Sequence, residues 1–259
     1  METQFTKKEF TRSQVSLLSK SMLIAGLFFL IIGLGGWGFS YVFTDPYGRM
    51  RTLLPLFLVI MFTGMFISIM WTKVLFSGRG KGAIAAIFAV YTITEALSFG
   101  YIFSLLRDVN GGNMNLVPVA FAITGGIFLL TVAISKLMTL RSVFTMGKMI
   151  GAAAIAMAVL MFISLILAIV AMASGSIGVM KANDTFFMFG MAGLSLITFL
   201  YICIDVWTIS KMSDFMQYNP EMEGSSIIVW YAGFRLLTDL LNILLIVCWY
   251  LLRFAGRRR

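Results

Sequence analysis

The stretch SMLIAGLFFLIIGLGGWGFSYVF, residues 21–43, contains no charged side chain. A helix needs about 20 apolar residues, each rising 1.5 Å, to cross ~30 Å of hydrocarbon, so this block is long enough to span a bilayer. It is too long for the apolar core of a signal peptide, and no small-residue cleavage pattern follows it, which predicts that it stays as the first spanning helix. Blocks of the same kind recur at residues 53–72, 82–106, 116–137, 149–173, 185–209 and 227–254. With residues 21–43 they make seven candidate spans joined by short connections.

Composition agrees with this reading. Of 259 residues, 60% are hydrophobic and 12% charged, whereas an ordinary soluble domain is roughly 25% charged. The weak two-residue alternation of a membrane barrel is absent. The expected fold is therefore an all-α integral membrane protein, a seven-transmembrane helix bundle. Residues 1–20 form a short cytoplasmic N-terminal segment, residues 21–256 a single seven-helix domain, and residues 257–259 a basic tail.

The formal net charge is +9, but the basic residues are scattered between apolar blocks, which gives no nucleic-acid-binding face. They read as topology signals. Lys7, Lys8, Arg12 and Lys20 precede span one; Lys73, Arg79 and Lys81 follow span two; Lys136, Arg141 and Lys148 follow span four. The alternate connections carry fewer, so the rule that basic short loops stay inside predicts a cytoplasmic N-terminus. The tail RFAGRRR is the exception: either the rule fails at this late end, or the last segment is re-entrant.

The absence of His and of clustered Cys leaves a structural zinc site or histidine-based catalysis without support. Cys203 and Cys248 lie inside apolar blocks and read as small buried hydrophobes. No intramembrane protease or nucleophile-elbow motif is present, so no enzymatic activity is expected. Small residues at Gly33, Gly35, Gly36 and Gly38, at Gly125 and Gly126, and in GAAAIAMA of span five would let helices approach closely.

Four ionisable residues fall within predicted spans: Glu95, Asp205, Arg235 and Asp239. Each charge at a helix centre costs roughly 2.5 to 3.5 kcal/mol on the insertion scale, so each needs a partner, a proton or a water-filled cavity. Helical spacing places Thr198, Tyr201, Asp205 and Thr208 on one polar stripe of span six, expected to look inward. Tyr91, Glu95 and Ser98 form a stripe in span three. Tyr231, Arg235, Thr238 and Asn242 form one in span seven, with Asp239 beside it. Three helices each presenting an acid on a polar stripe is the arrangement expected around an ion or proton path. The structural alternatives are an interfacial Asp205, an Arg235–Asp239 pair that neutralises itself one turn apart, and a protonated Glu95 in an interhelical hydrogen bond.

LYICIDVWTISK, residues 200–211, resembles the L-Y-x-x-x-D-x-x-x-I-K signature of the Bax inhibitor family, also called the transmembrane Bax-inhibitor-motif family. TDLLN followed by YLLRFAG in span seven is similar to that family's D-x-x-N followed by L-L-R-x-x-G. VYTITEALSFGYIF and AFAITGGIFLLTVAI sit where the family carries its small-residue and T-x-x-x-F patterns. The likeness extends over essentially the whole chain. It implies a pH-sensitive calcium leak protein in which two aspartates on the last two helices share a proton; Asp205 matches the first and Asp239 the second. It also implies a basic latch after the second helix, for which Lys73 in MWTK is the candidate. The chain departs from the pattern in three places. Span two carries no acid, and Glu95 would stand in for it. More residues separate Asp239 from the LLR stretch than the pattern expects. Arg235 stands one turn before Asp239.

The expected function is a calcium leak channel or transporter gated by the Asp205–Asp239 pair. The same carboxylates would touch calcium transiently, and Glu95, Arg235, Asn242, Tyr201 and Thr198 would line or support the path. No cofactor is tightly bound; the partners are the lipid bilayer, calcium and protons. A regulatory membrane protein acting on a membrane protease or cell-death partner is the alternative, as is a proton-coupled carrier. A bacterial plasma membrane is the expected location.

Overall fold

A computed structural model describes residues 2–43, 63–64, 66–67, 70–71, 81–217 and 226–256. Among them there is no strand. The helices are α1 (Glu2–Phe43), α2 (Lys81–Val109), α3 (Leu116–Leu137), α4 (Leu140–Ser174), α5 (Ile177–Gln217) and α6 (Ser226–Gly256). All 6 are long and apolar enough to cross a membrane, so the chain is an α-helical membrane protein. Most of candidate span two lies outside the described residues, although residues 63–64, 66–67 and 70–71 have helical backbone.

The helices outrun the apolar blocks that announced them. α1 continues back to Glu2, ahead of its apolar portion Leu17–Phe43. α4 begins at Leu140 and so takes in Arg141 and Lys148; α5 extends eight residues on either side of its predicted block. Apolar composition marks the part of a helix that sits in hydrocarbon, whereas i→i−4 hydrogen bonding carries on into the interface. α6 is one unbroken helix of 31 residues, which is not the shape of a re-entrant hairpin.

The connections from α2 to α3 and from α3 to α4 are tight, and their residues explain why. α2 ends in a Schellman turn: Gly112 N donates to Arg107 O at 2.8 Å and Gly111 N to Asp108 O at 3.2 Å. Gly111 adopts φ 69°, the left-handed value that this cap demands and glycine supplies without strain. α4 starts with a reciprocal cap, Thr139 N donating to Ser142 Oγ at 2.7 Å and Ser142 N to Thr139 Oγ1 at 3.3 Å.

The described residues fall into two compact units, Met1–Ile127 with Ile209–Arg259, and Phe128–Thr208. In the first, α1 packs on α2 and α6, and α2 packs on α6. Glycines set the closest approaches. A Cβ on Gly36 would stand 3.1 Å from Phe99 Cβ, and one on Gly100 only 2.6 Å from Phe39 Cβ. Earlier along α1, a Cβ on Gly233 of α6 would meet Ile24 at 2.9 Å. Gly33, Gly35 and Gly36 therefore do meet neighbouring helices, as expected. Gly38, Gly125, Gly126 and Gly151 have nothing within 4 Å among the described residues, unlike the close approach expected of the small-residue clusters.

Candidate functional site

In the first unit an aromatic cluster ties α2 and α6 to Trp71. The Trp71 ring stacks on Phe234 with centroids 4.3 Å apart, and Phe88 meets Trp71 edge-on at 4.6 Å. Phe88 also contacts Trp230 and Phe28. Tyr91, three residues after Phe88 on α2, lies against Phe234 at 4.8 Å. Such pairs contribute about 0.5–1.5 kcal/mol each beyond their buried area. They fix the rotation of α2 against α6 and hence the direction of the polar groups one turn along.

Those polar groups are Tyr91 and Glu95 on α2 and Tyr231, Arg235, Thr238 and Asp239 on α6. Tyr91 is buried, and the Thr238 hydroxyl approaches its phenol across the helix pair. Glu95 is half-buried, and its Oε1 occupies the space above Gly64, 2.7 Å from where a Cβ on that glycine would be. Arg235 is half-buried and donates from Nη1 to the Tyr231 hydroxyl at 3.2 Å. The smaller hydroxyls are satisfied inside their own helices: Ser98 donates to Thr94 O, and Thr238 to Phe234 O, both at 3.1 Å. Such back-bonding keeps a polar atom satisfied where no water reaches it.

The second unit holds Asp205. Beside it, Trp207 Nε1 donates to Met138 O at 3.2 Å and Thr208 donates to Ile204 O at 2.7 Å; near the opposite end of α5, Ser164 donates to Asn183 Oδ1 at 2.7 Å and links α4 to α5. Cys203 and Cys248 are both buried free thiols.

Asp205 is 1% exposed and Asp239 3%; among the described residues they are the carboxylates that are buried. The stripes expected around them are not inward-facing throughout. Tyr201 is 47% exposed, Thr198 and Thr208 are half-buried, and Asn242 is exposed. At 3.6 residues per turn, Ile202, Val206 and Ile209 lie to one side of Asp205, and Tyr201 and Thr208 to the other. All three apolar residues are fully buried. Each acid thus lies on the boundary between a packed apolar face and a polar edge. Sequence spacing places residues within one broad stripe but does not reveal where the packed face is centred.

Of the residues singled out from sequence, the first unit holds Glu95, Arg235, Asp239 and Asn242, and the second holds Thr198, Tyr201 and Asp205. Lys73 lies outside the described residues. Gly64, Trp71 and Phe234 were not anticipated; a glycine in an otherwise bulky span is the one sequence signal that pointed to Gly64. Among the described residues, no three Cys, Asp or Glu side chains come together as a metal cage. Comparison with protein-family models, curated proteins and solved structures gave no match.

Proposed function

We propose that this chain is a pH-sensitive calcium leak channel or transporter gated by Asp205 and Asp239, a member of the Bax inhibitor family. The observation that carries this reading is the burial of both carboxylates in apolar helices. A charge held in hydrocarbon costs several kcal/mol, so a membrane protein that keeps two of them uses them. Two carboxylates brought close in a poorly solvated site do not both ionise cheaply; they hold one proton between them and titrate as a pair. Loss of that proton raises the repulsion between α5 and α6 and shifts an open–closed equilibrium. Carboxylate oxygens with retained water suit calcium, a hard cation, and few protein ligands favour passage over capture.

In the same reading, residues 53–72 complete a seven-helix bundle, Glu95 supports the path from α2, and Lys73 serves as a latch. The basic connections support a cytoplasmic N-terminus, and the reading assigns the protein to a bacterial plasma membrane. Calcium flux into proteoliposomes, measured across a pH series for the parent, Asp205→Asn and Asp239→Asn, tests the proposal. Altered flux and a flattened pH response in each variant are expected. Parent-like flux and pH response in both would overturn it.

A further inference from the structure

Only Met138 and Thr139 join α3 to α4, and this corner is held from two sides. Thr139 and Ser142 cap each other, and Trp207 Nε1 of α5 donates to Met138 O at 3.2 Å. All of these residues belong to the second unit. Three cations stand on the corner: Lys136 in the last turn of α3, and Arg141 and Lys148 in the first three turns of α4. All three are exposed, and among the described residues none of them makes an ion pair.

Charge on this corner has one sign. No Asp or Glu occurs between Asp108 and Asp184, so neither α3 nor α4 carries an acid. Arg141 and Lys148 are nearly two full turns apart, which puts them on one side of α4 with about 10 Å between them along its axis. Two side chains of that length can converge on one phosphate. Phe144 lies between them and is exposed, as are Leu137 and Leu140 beside the turn. The first amides of α4 are taken by its cap, Ser142 N by Thr139 Oγ1 and Val143 N by Thr139 O. The attraction for an anion therefore comes from side chains and not from the helix end.

Depth in the bilayer decides the occupant. α4 has 35 residues, about 52 Å of helix, whereas a bilayer is about 40–45 Å thick with its headgroups and ~30 Å without them. Its charge-free run begins at Met149, so the turns before it stand in the headgroup layer. We infer that the α3–α4 corner binds anionic phospholipid, with headgroup phosphate taken by Arg141, Lys148 and Lys136 and acyl chains starting along Leu137, Leu140 and Phe144. Cations gathered where a span meets the headgroups attract anionic lipid, and Lys148, furthest into α4, extends its ammonium back from the edge of the hydrocarbon. An acidic protein segment fits less well, because two spans joined by two residues offer it no protruding face. The surface does not depend on the roles of Asp205 and Asp239.

Native mass spectrometry of the purified full chain, offered equal phosphatidylglycerol and phosphatidylcholine, tests this. The parent should retain phosphatidylglycerol several-fold over phosphatidylcholine, and Arg141→Gln and Lys148→Gln should each lower that preference several-fold. Lys20→Gln removes the same charge from an exposed position on α1 and should leave the preference unchanged. Phe144→Trp adds an indole at an exposed position. Phosphatidylglycerol brominated on its acyl chains should quench the added emission more strongly than brominated phosphatidylcholine. Equal retention of the two lipids by the parent would leave the corner to another anion, an acidic protein segment included, and would overturn the inference. So would a parent-like preference in both Arg141→Gln and Lys148→Gln, a loss in Lys20→Gln as large as theirs, which means net charge only, or Phe144→Trp quenching that ignores headgroup charge.

Discussion

Asp205 on α5 and Asp239 on α6 occupy the same register relative to the packed face of their helices. Each has a fully buried aliphatic residue three positions before it, Ile202 and Leu236, and a buried isoleucine four positions after, Ile209 and Ile243. Each has a large polar side chain four positions before it, Tyr201 and Arg235, and a more accessible polar residue three positions after, Thr208 and Asn242. Both carboxylates therefore sit at the same edge of an apolar face, buried but next to a polar margin. That position gives an acid a low-dielectric surrounding and also a route by which a proton can arrive.

If the two acids act as one titrating pair, removing either should remove most of what removing both does. Asp205→Asn and Asp239→Asn are each expected to flatten the pH dependence of calcium flux. The double variant should be no flatter than the single ones, because coupled groups are non-additive. Two independent acids would instead give effects that sum. Flux measured over a pH series on all four proteins separates these outcomes.

The spanning helices were legible in the sequence because hydrocarbon thickness imposes a length and a composition that can be read from residues 21–43 without any contact information. The buried acids were legible for the same reason, since a charge in an apolar block stands out. The packing was not. Gly125 and Gly126 look like contact glycines yet meet nothing within 4 Å among the described residues, whereas Gly100 and Gly233 look unremarkable and approach α1 closely. Which face of a helix meets a neighbour depends on the rotation fixed by the Trp71, Phe88 and Phe234 rings, whose partners are distant in sequence. Tyr201 shows the same limit within α5: it lies one turn from Asp205, yet past the edge of that helix's packed face.

That difference between glycines predicts opposite signs for one substitution. In Gly100→Ala the new methyl meets Phe39 Cβ, which is anchored to the α1 backbone and has little room to move. A loss of about 1–3 kcal/mol is expected. Gly38→Ala and Gly126→Ala meet nothing among the described residues and should be neutral or stabilising by up to about 1 kcal/mol, the helix propensity gained over glycine. Unfolding in mixed micelles over an SDS series reads all three.

The aromatic cluster predicts a large effect at a residue that touches no charge. Phe234 contacts Trp71, Phe88 and Tyr91, and Phe234→Ala should cost about 3–5 kcal/mol through the cavity it leaves. Phe234→Leu keeps much of the volume and should cost markedly less. The same SDS titration, compared with Phe254→Ala at an exposed site, checks the ranking.

Gly64 and Glu95 offer the sharpest separation of stability from function. A Cβ at Gly64 would stand 2.7 Å from Glu95 Oε1, but that oxygen is the far end of a flexible side chain and can swing away. Gly64→Ala should therefore change stability by less than about 1 kcal/mol, since the contact is relieved by a rotamer change rather than a backbone shift. It should nonetheless move the carboxylate. If Glu95 supports the ion path from where it stands, Gly64→Ala and Glu95→Gln should alter calcium flux in the same direction, and Gly64→Ala should add nothing in a Glu95→Gln background. Flux that is normal in Gly64→Ala but changed in Glu95→Gln would show that the carboxylate's charge matters and its position over Gly64 does not.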